Sequence, residues 1–338
     1  MKKNTILYHY VQALLNSLQR HGEDSEAILA SCDIPVFSGD NSELRIPTDN
    51  FVKLLKKTIT ELGDEHFGLV EPALPIGSFF YASHVMSSCA NLGKALQLGI
   101  GYYQLNSNAY SIELVEHIDE IEFRVNLNKP ELDPDHLLAE FVLNAWHRFA
   151  SWMIGKNILL KSASFNYPPP RHEPEYQYLF PCIRKFDQPW LSLTFSYDYL
   201  AMPIIKKNTG ELEQFLKDTF QNLLFTPIDD QSLTAKIRLI IEDYEENNFP
   251  AFSLVAGELC MTEKTLRAKL KKEGVSYQKI KDFMRRDTAI YYLTKQNISI
   301  AEIAFKSGFS EPSAFIRAFK KWTGLTPTAY RCNKEEVT

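Results

Sequence analysis

One stretch of the sequence decides the fold: Ser299–Trp322, which reads SIAEIAFKSGFSEPSAFIRAFKKW. A small residue, Ala304, is followed four positions later by Gly308. A small residue lets a second helix pack closely, and glycine accepts the left-handed backbone of a tight turn. Pro312 falls in the first turn of the second helix, where its missing N–H is not needed. Apolar residues surround both positions: Ile303, Phe309, Phe315 and Phe319. The stretch therefore predicts a helix-turn-helix unit.

An earlier stretch, Ser253–Gly274, repeats the pattern as SLVAGELCMTEKTLRAKLKKEG. Ala256 takes the small position, and Thr262 can cap the second helix. The turn position is Cys260 rather than glycine, and a left-handed backbone there costs about 1 kcal/mol. The predicted core residues are Val255, Leu259, Met261, Leu266 and Leu270. We therefore expect a second helix-turn-helix unit with a less favourable turn.

The two small residues lie 48 positions apart, and Tyr277–Gln296 between them reads as one helix. At 1.5 Å per residue this helix would be about 30 Å long. One turn of DNA is ~34 Å, so two recognition helices could enter successive major grooves. Arg285 and Arg286 lie in the middle of this helix. They could contact phosphate, or they could join the two units through Asp282 or Glu302.

Charge is distributed unevenly along the chain. Residues 252–333 contain 15 Lys and Arg against 7 Asp and Glu, a net charge of +8. The whole chain carries −5, so the remainder carries −13. An acidic body joined to a basic tail suggests a polyanionic partner for the tail, although a basic face exposed to solvent would give the same count.

The residues before the basic tail predict a mixed α+β domain. Residues 4–20 read as a helix, and a long helix runs from Pro134 to Gly155. Apolar and polar residues alternate in four segments, which we expect to be strands: 110–119, 120–128, 158–167 and 189–197. The predicted division is an effector-binding and dimerisation domain at 1–205, a linker region at 206–231 and an all-α double helix-turn-helix domain at 232–338.

Several kinds of site are not indicated by the sequence. The five cysteines are far apart without a CxxC pair, which favours free thiols. The histidines form no HExxH or similar spacing, and no nucleotide-binding or catalytic motif is evident. We therefore expect no metal, no cofactor and no enzymatic activity. The sequence has no apolar run of 18 residues and no signal-peptide cleavage site, which favours a cytoplasmic protein without a membrane span.

Two segments carry a resemblance to a known family. The segments IAEIAFKSGFSEPSAFIRAFKKWTGLTPTAYR and LCMTEKTLRAKLKKEGVSYQKI resemble the AraC/XylS family of transcription regulators. The resemblance covers about residues 235–332 and implies that double-stranded promoter DNA is the partner. In the first recognition helix it places Lys264, Thr265, Arg267, Ala268 and Lys271 at the groove. In the second it places Pro312, Ser313, Ile316 and Arg317 there. Lys272, Lys320 and Lys321 are expected to contact phosphate, which positions the protein without reading sequence.

The segment GSFFYASHVMSSCANLGKALQLGIGYYQL, residues 77–105, is similar to the sensor domain of ornithine-type regulators in the same family. This similarity implies an effector pocket between helices and sheet. His84, Tyr103 and Trp146 are the expected ligand-binding residues, because each combines apolar bulk with one polar group.

The sequence thus indicates a sequence-specific transcription regulator, an activator controlled by a small-molecule effector. The family resemblance implies a homodimer formed through the N-terminal domain, with RNA polymerase as a further partner. One alternative keeps the DNA-binding tail but makes the N-terminal domain an oligomerisation or partner-protein module that binds no ligand.

Overall fold

The computed structural model describes residues 5–37, 44–205, 209–225, 233–244, 249–272, 275–294 and 298–335. The chain divides into two compact units. The larger unit contains residues 9–25 and 52–229, and the smaller unit contains residues 1–8, 26–51 and 230–338. This division follows packing, whereas the limits 1–205, 206–231 and 232–338 are functional assignments that remain a prediction.

Strands and helices alternate irregularly along the described residues. The strands are β1 (Thr5–Leu7), β2 (Arg45–Pro47), β3 (Tyr110–Glu116), β4 (Glu120–Leu127), β5 (Leu160–Ser164), β6 (Ile183–Lys185) and β7 (Leu191–Ser196). The helices are α1 (Tyr8–Arg20), α2 (Ser25–Ser31), α3 (Thr48–Leu62), α4 (Ser78–Ser87), α5 (Leu92–Asn106), α6 (Leu137–Ile154), α7 (Tyr176–Leu179), α8 (Thr209–Lys217), α9 (Leu233–Glu242), α10 (Phe252–Glu258), α11 (Glu263–Lys272), α12 (Tyr277–Leu293), α13 (Ile300–Lys306), α14 (Pro312–Thr323) and α15 (Pro327–Glu335). A π-helical turn spans Gln221–Phe225.

The larger unit is built on a five-stranded sheet in the order β3-β4-β7-β5-β6. All neighbours are antiparallel except β5 and β6. The four segments with alternating polarity supply β3, β4, β5 and β7, as the sequence predicts. The short strand β6 was not predicted, because three residues are too few to show a period. The helix expected over 4–20 is wrong at its start, since residues 5–7 form β1 and the helix begins at Tyr8.

Helix α6 runs through the core of the larger unit, packing against β7 and α5. The carboxylate of Asp133 accepts hydrogen bonds from the N–H groups of Leu138 and Ala139, at 3.0 and 2.9 Å. These bonds satisfy backbone donors in the first turn, which have no partner within the helix. Gly155 ends the helix in the left-handed conformation, with φ of 63°.

A buried polar cluster surrounds Glu140 on this helix. One carboxylate oxygen accepts from the Tyr176 hydroxyl at 2.6 Å and lies 2.7 Å from Nε2 of His172. The other accepts from the Tyr10 hydroxyl at 2.7 Å. The His9 ring stacks on His172 with centroids 4.0 Å apart. Because a buried carboxylate needs several donors, the cluster fixes α1 and α7 against α6.

The smaller unit contains a two-stranded ribbon, in which β1 pairs antiparallel with β2. Arg45 in this ribbon is only 4% exposed. Its guanidinium donates to the hydroxyl and the carbonyl oxygen of Thr5, at 2.9 and 3.0 Å. The Thr5 hydroxyl in turn donates to Asp287 on α12 at 2.5 Å. On α15, the Tyr330 hydroxyl donates to the carbonyl oxygen of Arg45. The ribbon is therefore part of the packing of the helical region.

Replacing Arg45 with Ala should lower the stability of α12, because the buried hydroxyl and carbonyl oxygen of Thr5 lose their charged donor. A lost hydrogen bond to a charged group costs roughly 2–3 kcal/mol. Amide hydrogen exchange of the α12 segment in the full chain should then become roughly 30- to 150-fold faster. The control is Arg171→Ala at an exposed position. Equal α12 protection in both variants would contradict a stabilising role for the ribbon.

Candidate DNA interface and ligand cavity

The first helix-turn-helix unit consists of α10 and α11. Cys260 has φ of 52°, so the turn takes the left-handed conformation that the sequence predicts. Ala256 is 2% exposed at the crossing of the two helices. The Thr262 hydroxyl accepts from the N–H of Thr265 at 3.2 Å, which caps α11. Five of the residues that pack this unit are Val255, Leu266, Leu270, Tyr277 and Ile280.

Helix α11 separates a buried face from an exposed one. Leu266 and Leu270 are 0% and 2% exposed. The predicted groove residues all lie on the exposed side: Lys264, Thr265, Arg267, Ala268 and Lys271. The Arg267 side chain is 71% exposed and lies 3.7 Å from the Glu263 carboxylate. The side chain of Lys272 lies outside the described residues.

The second unit consists of α13 and α14, with Ala304 fully buried between them. Gly308 has φ of 78°, and a Cβ placed there would come within 2.7 Å of the Phe249 ring. This position therefore requires glycine for both its backbone and its space. The Ser299 hydroxyl accepts from the N–H of Glu302 at 3.1 Å and caps α13.

The outer face of α14 carries fewer hydrogen-bonding groups than that of α11. Pro312 is half-buried, while the other predicted residues are exposed: Ser313, Ile316, Arg317, Lys320 and Lys321. Phe315 and Phe319 are fully buried on the opposite face. Arg317 is therefore the longest hydrogen-bonding side chain among the four predicted groove residues of this helix.

Arg285 on α12 connects the two helix-turn-helix units. It donates from Nη2 to the carbonyl oxygen of Gly308 at 3.1 Å. Its guanidinium lies 4.8 Å from the ring centre of Phe249 and 5.0 Å from that of Phe309. The structure thus favours the joining role over phosphate contact. The hydrogen bond and ring contacts are made with Gly308, Phe249 and Phe309, and Asp282 interacts with Arg285 electrostatically. Its neighbour Arg286 donates to Asp287 at 3.2 Å.

The linking helix α12 is 17 residues long. That corresponds to about 25 Å, which is shorter than the 30 Å expected from sequence. Residues 295–297, at the end of the predicted helix, lie outside the described residues.

The larger unit contains a cavity of about 440 Å³. Its wall is mainly aromatic and aliphatic, with side chains from α3, α4, α5, α6, β3, α8 and the π-helical turn. The lining residues are Lys56, Ile59, Thr60, Glu65, His66, Phe79, Phe80, Met86, Tyr103, Tyr110, Phe141, Val142, Ala145, Trp146, Phe149, Leu216, Thr219, Phe220 and Leu223. This volume is in the range of small-molecule sites, ~300–1,000 Å³.

Two of the three ligand residues expected from sequence lie together in this wall. Tyr103 and Trp146 have ring centroids 5.7 Å apart. His84 does not line the cavity; its Nδ1 is 2.9 Å from the carbonyl oxygen of Phe80. Sequence reasoning missed Glu65 and His66. Their signal was a run of three titratable residues, Asp64, Glu65 and His66, directly after Gly63 at the end of α3.

Glu65 and His66 have different surroundings. The Glu65 carboxylate accepts from the N–H groups of Gly77 and Phe79, at 2.6 and 2.8 Å, and so holds the start of α4. His66 is 5% exposed, and its ring centre lies 5.2 Å from that of Tyr110. Burial lowers the pKa of His66 to about 3, so the ring is neutral at physiological pH.

The described residues contain no group of three or more His, Cys, Asp or Glu arranged to hold a metal ion. Cys32, Cys89, Cys182 and Cys260 are free thiols. None of the helices described is long and apolar enough to cross a bilayer.

The His66 pKa predicts a pH dependence of stability. The unfolded ring titrates near 6.5, whereas the folded ring stays neutral down to about pH 3. Between pH 7.5 and 5.5 the unfolded state therefore gains a proton that the folded state does not, and stability falls. The loss is about 1.4 kcal/mol. In urea unfolding, the free energy of unfolding of His66→Gln should therefore fall less than that of the wild type between pH 7.5 and 5.5, by about 1.4 kcal/mol.

Tryptophan fluorescence is a suitable signal, because Trp146, Trp152 and Trp190 lie in the larger unit. His117→Gln removes a more exposed histidine and serves as the control. An unchanged pH dependence in His66→Gln would show that the ring is not held neutral by burial.

The chain is similar to several known proteins. A model for the arabinose-binding N-terminal domain of AraC transcription regulators matches residues 22–204, more than half of the chain. A helix-turn-helix domain model matches residues 255–333. The ornithine utilization regulator of Pseudomonas aeruginosa is 29% identical over 323 residues, 95% of each chain. VirS, an HTH-type transcriptional regulator of Mycobacterium tuberculosis, is 21% identical over 313 residues, 92% of this chain and 91% of VirS. The crystal structure of the transcriptional regulator CdpR from Pseudomonas aeruginosa aligns at 21% identity with a TM-score of 0.33, covering 96% of this chain and 98% of CdpR.

These relatives are transcription regulators rather than enzymes. The N-terminal match and the helix-turn-helix match together account for both the α+β part and the all-α part of the fold. The chain belongs to the AraC family of transcription regulators and carries that family's DNA-binding helix-turn-helix region.

Proposed function

We propose that this protein is a transcription activator whose DNA binding is controlled by a small molecule held in the larger unit. The observation that carries the proposal is the aromatic cavity of about 440 Å³ in a chain whose other unit holds two helix-turn-helix units. A module that only bound another protein would not need a cavity of this size. Tyr103 and Trp146 are proposed ligand contacts, and no cofactor is required.

The ligand would act by shifting a conformational equilibrium. It stabilises the conformation that binds it better, by at most its difference in affinity for the two. A tenfold change in the DNA-competent population needs only about 1.4 kcal/mol. A few side-chain contacts in an apolar cavity supply that difference.

On the DNA side, we assign base reading mainly to Arg267 and Arg317. An arginine can donate two hydrogen bonds to O6 and N7 of guanine. The lysines at positions 264, 271, 320 and 321 are exposed on the same two helices and bring positive charge to the DNA backbone. The family resemblance further suggests a cytoplasmic homodimer formed through the N-terminal domain, with RNA polymerase as the partner in activation.

The test is ligand screening with the full chain by thermal shift, followed by mobility shift on DNA. The DNA is the sequence that the chain itself selects from a random duplex library. A compound that raises the melting temperature should also change DNA affinity. Ala145→Phe fills the cavity and should abolish both effects, whereas Ala27→Phe at an exposed position should not. Retention of both effects in Ala145→Phe would place the ligand outside this cavity and contradict the proposed site. A screen in which no compound raises the melting temperature would favour the partner-module alternative.

Arg267→Ala and Arg317→Ala should each weaken binding to the selected DNA. Loss of a bidentate hydrogen-bond contact with guanine costs about 1–3 kcal/mol, which lowers the affinity roughly 5- to 150-fold. Binding to random DNA should fall less, because phosphate contacts remain. Arg171→Ala is the control for removing a positive charge. If both recognition-helix variants bind the selected DNA like the parent, the assignment of the groove-facing residues is wrong.

Arg285→Ala should relax the spacing between the two bound half-sites. The guanidinium holds Gly308 and two phenylalanine rings together, so its removal loosens one unit against the other. Inserting one base pair between the half-sites should lower the DNA affinity of the wild type more than tenfold. The same insertion should cost Arg285→Ala a severalfold smaller loss of affinity. Lys279→Ala changes an exposed residue of the same helix and should keep the wild-type spacing requirement. Equal spacing penalties in all three proteins would show that Arg285 does not set the geometry.

A further inference from the structure

The charges around the cavity limit the chemistry of its ligand. We propose that the ligand is an uncharged, mainly apolar molecule with one hydroxyl or carbonyl group, which hydrogen-bonds beside His66. This inference rests on the proposed function, because it names the class of molecule that the same cavity would take.

Most of the wall offers apolar contact only. Six aromatic residues account for much of it: Phe79, Phe80, Phe141, Trp146, Phe149 and Phe220. Burial of apolar ligand surface against such a wall contributes about 25 cal/mol per Å². The body of the ligand is therefore apolar.

A carboxylate group would lack a suitable partner inside the cavity. Lys56 is the only Lys or Arg among the lining residues, and its side chain is exposed to solvent. An ion pair with an exposed lysine is weak, because water and salt screen the attraction. Burying a carboxylate without a close cation carries a large desolvation cost.

A cationic group would find only one carboxylate, and that carboxylate already has partners. Each oxygen of Glu65 accepts one backbone N–H, from Gly77 and Phe79. These donors lie at the N-terminus of α4, where the helix dipole also stabilises negative charge. The charge of Glu65 is thus balanced within the protein, and an ammonium group would gain little from it. Burial raises the pKa of the Glu65 carboxylate, and the backbone N–H groups of Phe79 and Gly77 act against this rise.

Neutral hydrogen-bonding groups, by contrast, are available in the wall. Neither ring nitrogen of His66 has a hydrogen-bond partner among the described residues. Its Nδ1 is fully buried, so Nε2 is the nitrogen that a ligand in the cavity would contact. Within the same residues, the Tyr103 and Tyr110 hydroxyls also make no hydrogen bond. A buried polar group without a partner costs about 1–3 kcal/mol, which a ligand hydroxyl or carbonyl would offset. A neutral imidazole can donate or accept, so either group fits.

Three probes of one skeleton test this inference: decan-1-ol, decanoate and decylammonium. Isothermal titration with the full chain at pH 7.5 should give decan-1-ol at least tenfold tighter binding than either charged probe. Ala145→Phe should abolish binding of decan-1-ol. Tighter binding of decanoate or decylammonium would overturn the inference and leave the proposed function standing. If no probe binds, or if binding survives in Ala145→Phe, both the inference and the proposed ligand site fail.

The polar contact is tested separately with His66→Phe and His66→Gln. Phenylalanine keeps a ring but removes the hydrogen-bonding nitrogens, so decan-1-ol affinity should fall about tenfold. Glutamine offers a donor and an acceptor and should restore part of that loss. Circular dichroism checks folding, and Tyr103→Phe provides a second variant on the same probes. Unchanged decan-1-ol binding in both His66→Phe and Tyr103→Phe would exclude this end of the cavity as the polar site.

Discussion

The packing of the smaller unit depends on one buried cation, the guanidinium of Arg45. Burying a cation is unfavourable unless its donors find acceptors, and here the acceptors belong to Thr5 on the neighbouring strand. The Thr5 hydroxyl in turn donates to the carboxylate of Asp287 on α12, which lies 282 positions away in the sequence. The Tyr330 side chain is buried, and its hydroxyl donates to the carbonyl oxygen of Arg45. The packing of the helical region therefore includes residues from the start of the chain. The smaller unit extends beyond the two helix-turn-helix motifs and also contains residues 1–8 and 26–51.

A second constraint operates between those motifs. Gly308 has a left-handed backbone and no room for a Cβ, because Phe249 lies directly against it. Arg285 then packs on Phe249 and Phe309 and donates to the carbonyl oxygen of Gly308. At the corresponding turn of the first motif, the left-handed residue is Cys260. The two halves thus differ in both structure and surface. The first carries the richer polar face, and the second has the more tightly specified turn.

What the sequence predicts well is local. The small residues, the turn positions and the Thr262 cap are set by neighbours within about four positions, and alternating polarity identified four strands of the sheet. The elements that the sequence did not predict depend on distant residues or are too short to show a period. Residues 5–7 continue the apolar pattern of α1, and only pairing with Arg45–Pro47 makes them a strand. In the cavity, aromatic residues with a polar group were a sound criterion for Tyr103 and Trp146. His84 met the same criterion, but its ring lies against the backbone of its own helix. The burial of His66 depends on residues far away in the sequence, such as Tyr110, so its titratable neighbours alone did not identify it.

The cavity and the recognition helices depend on opposite kinds of chemistry. Binding to DNA gains from positive charge and weakens steeply as the salt concentration rises, because releasing counterions into a more concentrated salt solution is less favourable. The cavity wall excludes charge: its histidine is neutral, its carboxylate is satisfied by backbone N–H groups, and its one lysine faces solvent. An uncharged ligand cannot act on DNA affinity through long-range electrostatics, because it adds no charge. Its effect must come from contacts that differ between two conformations of the protein. Ligand affinity should therefore depend little on ionic strength, even where DNA affinity depends on it strongly.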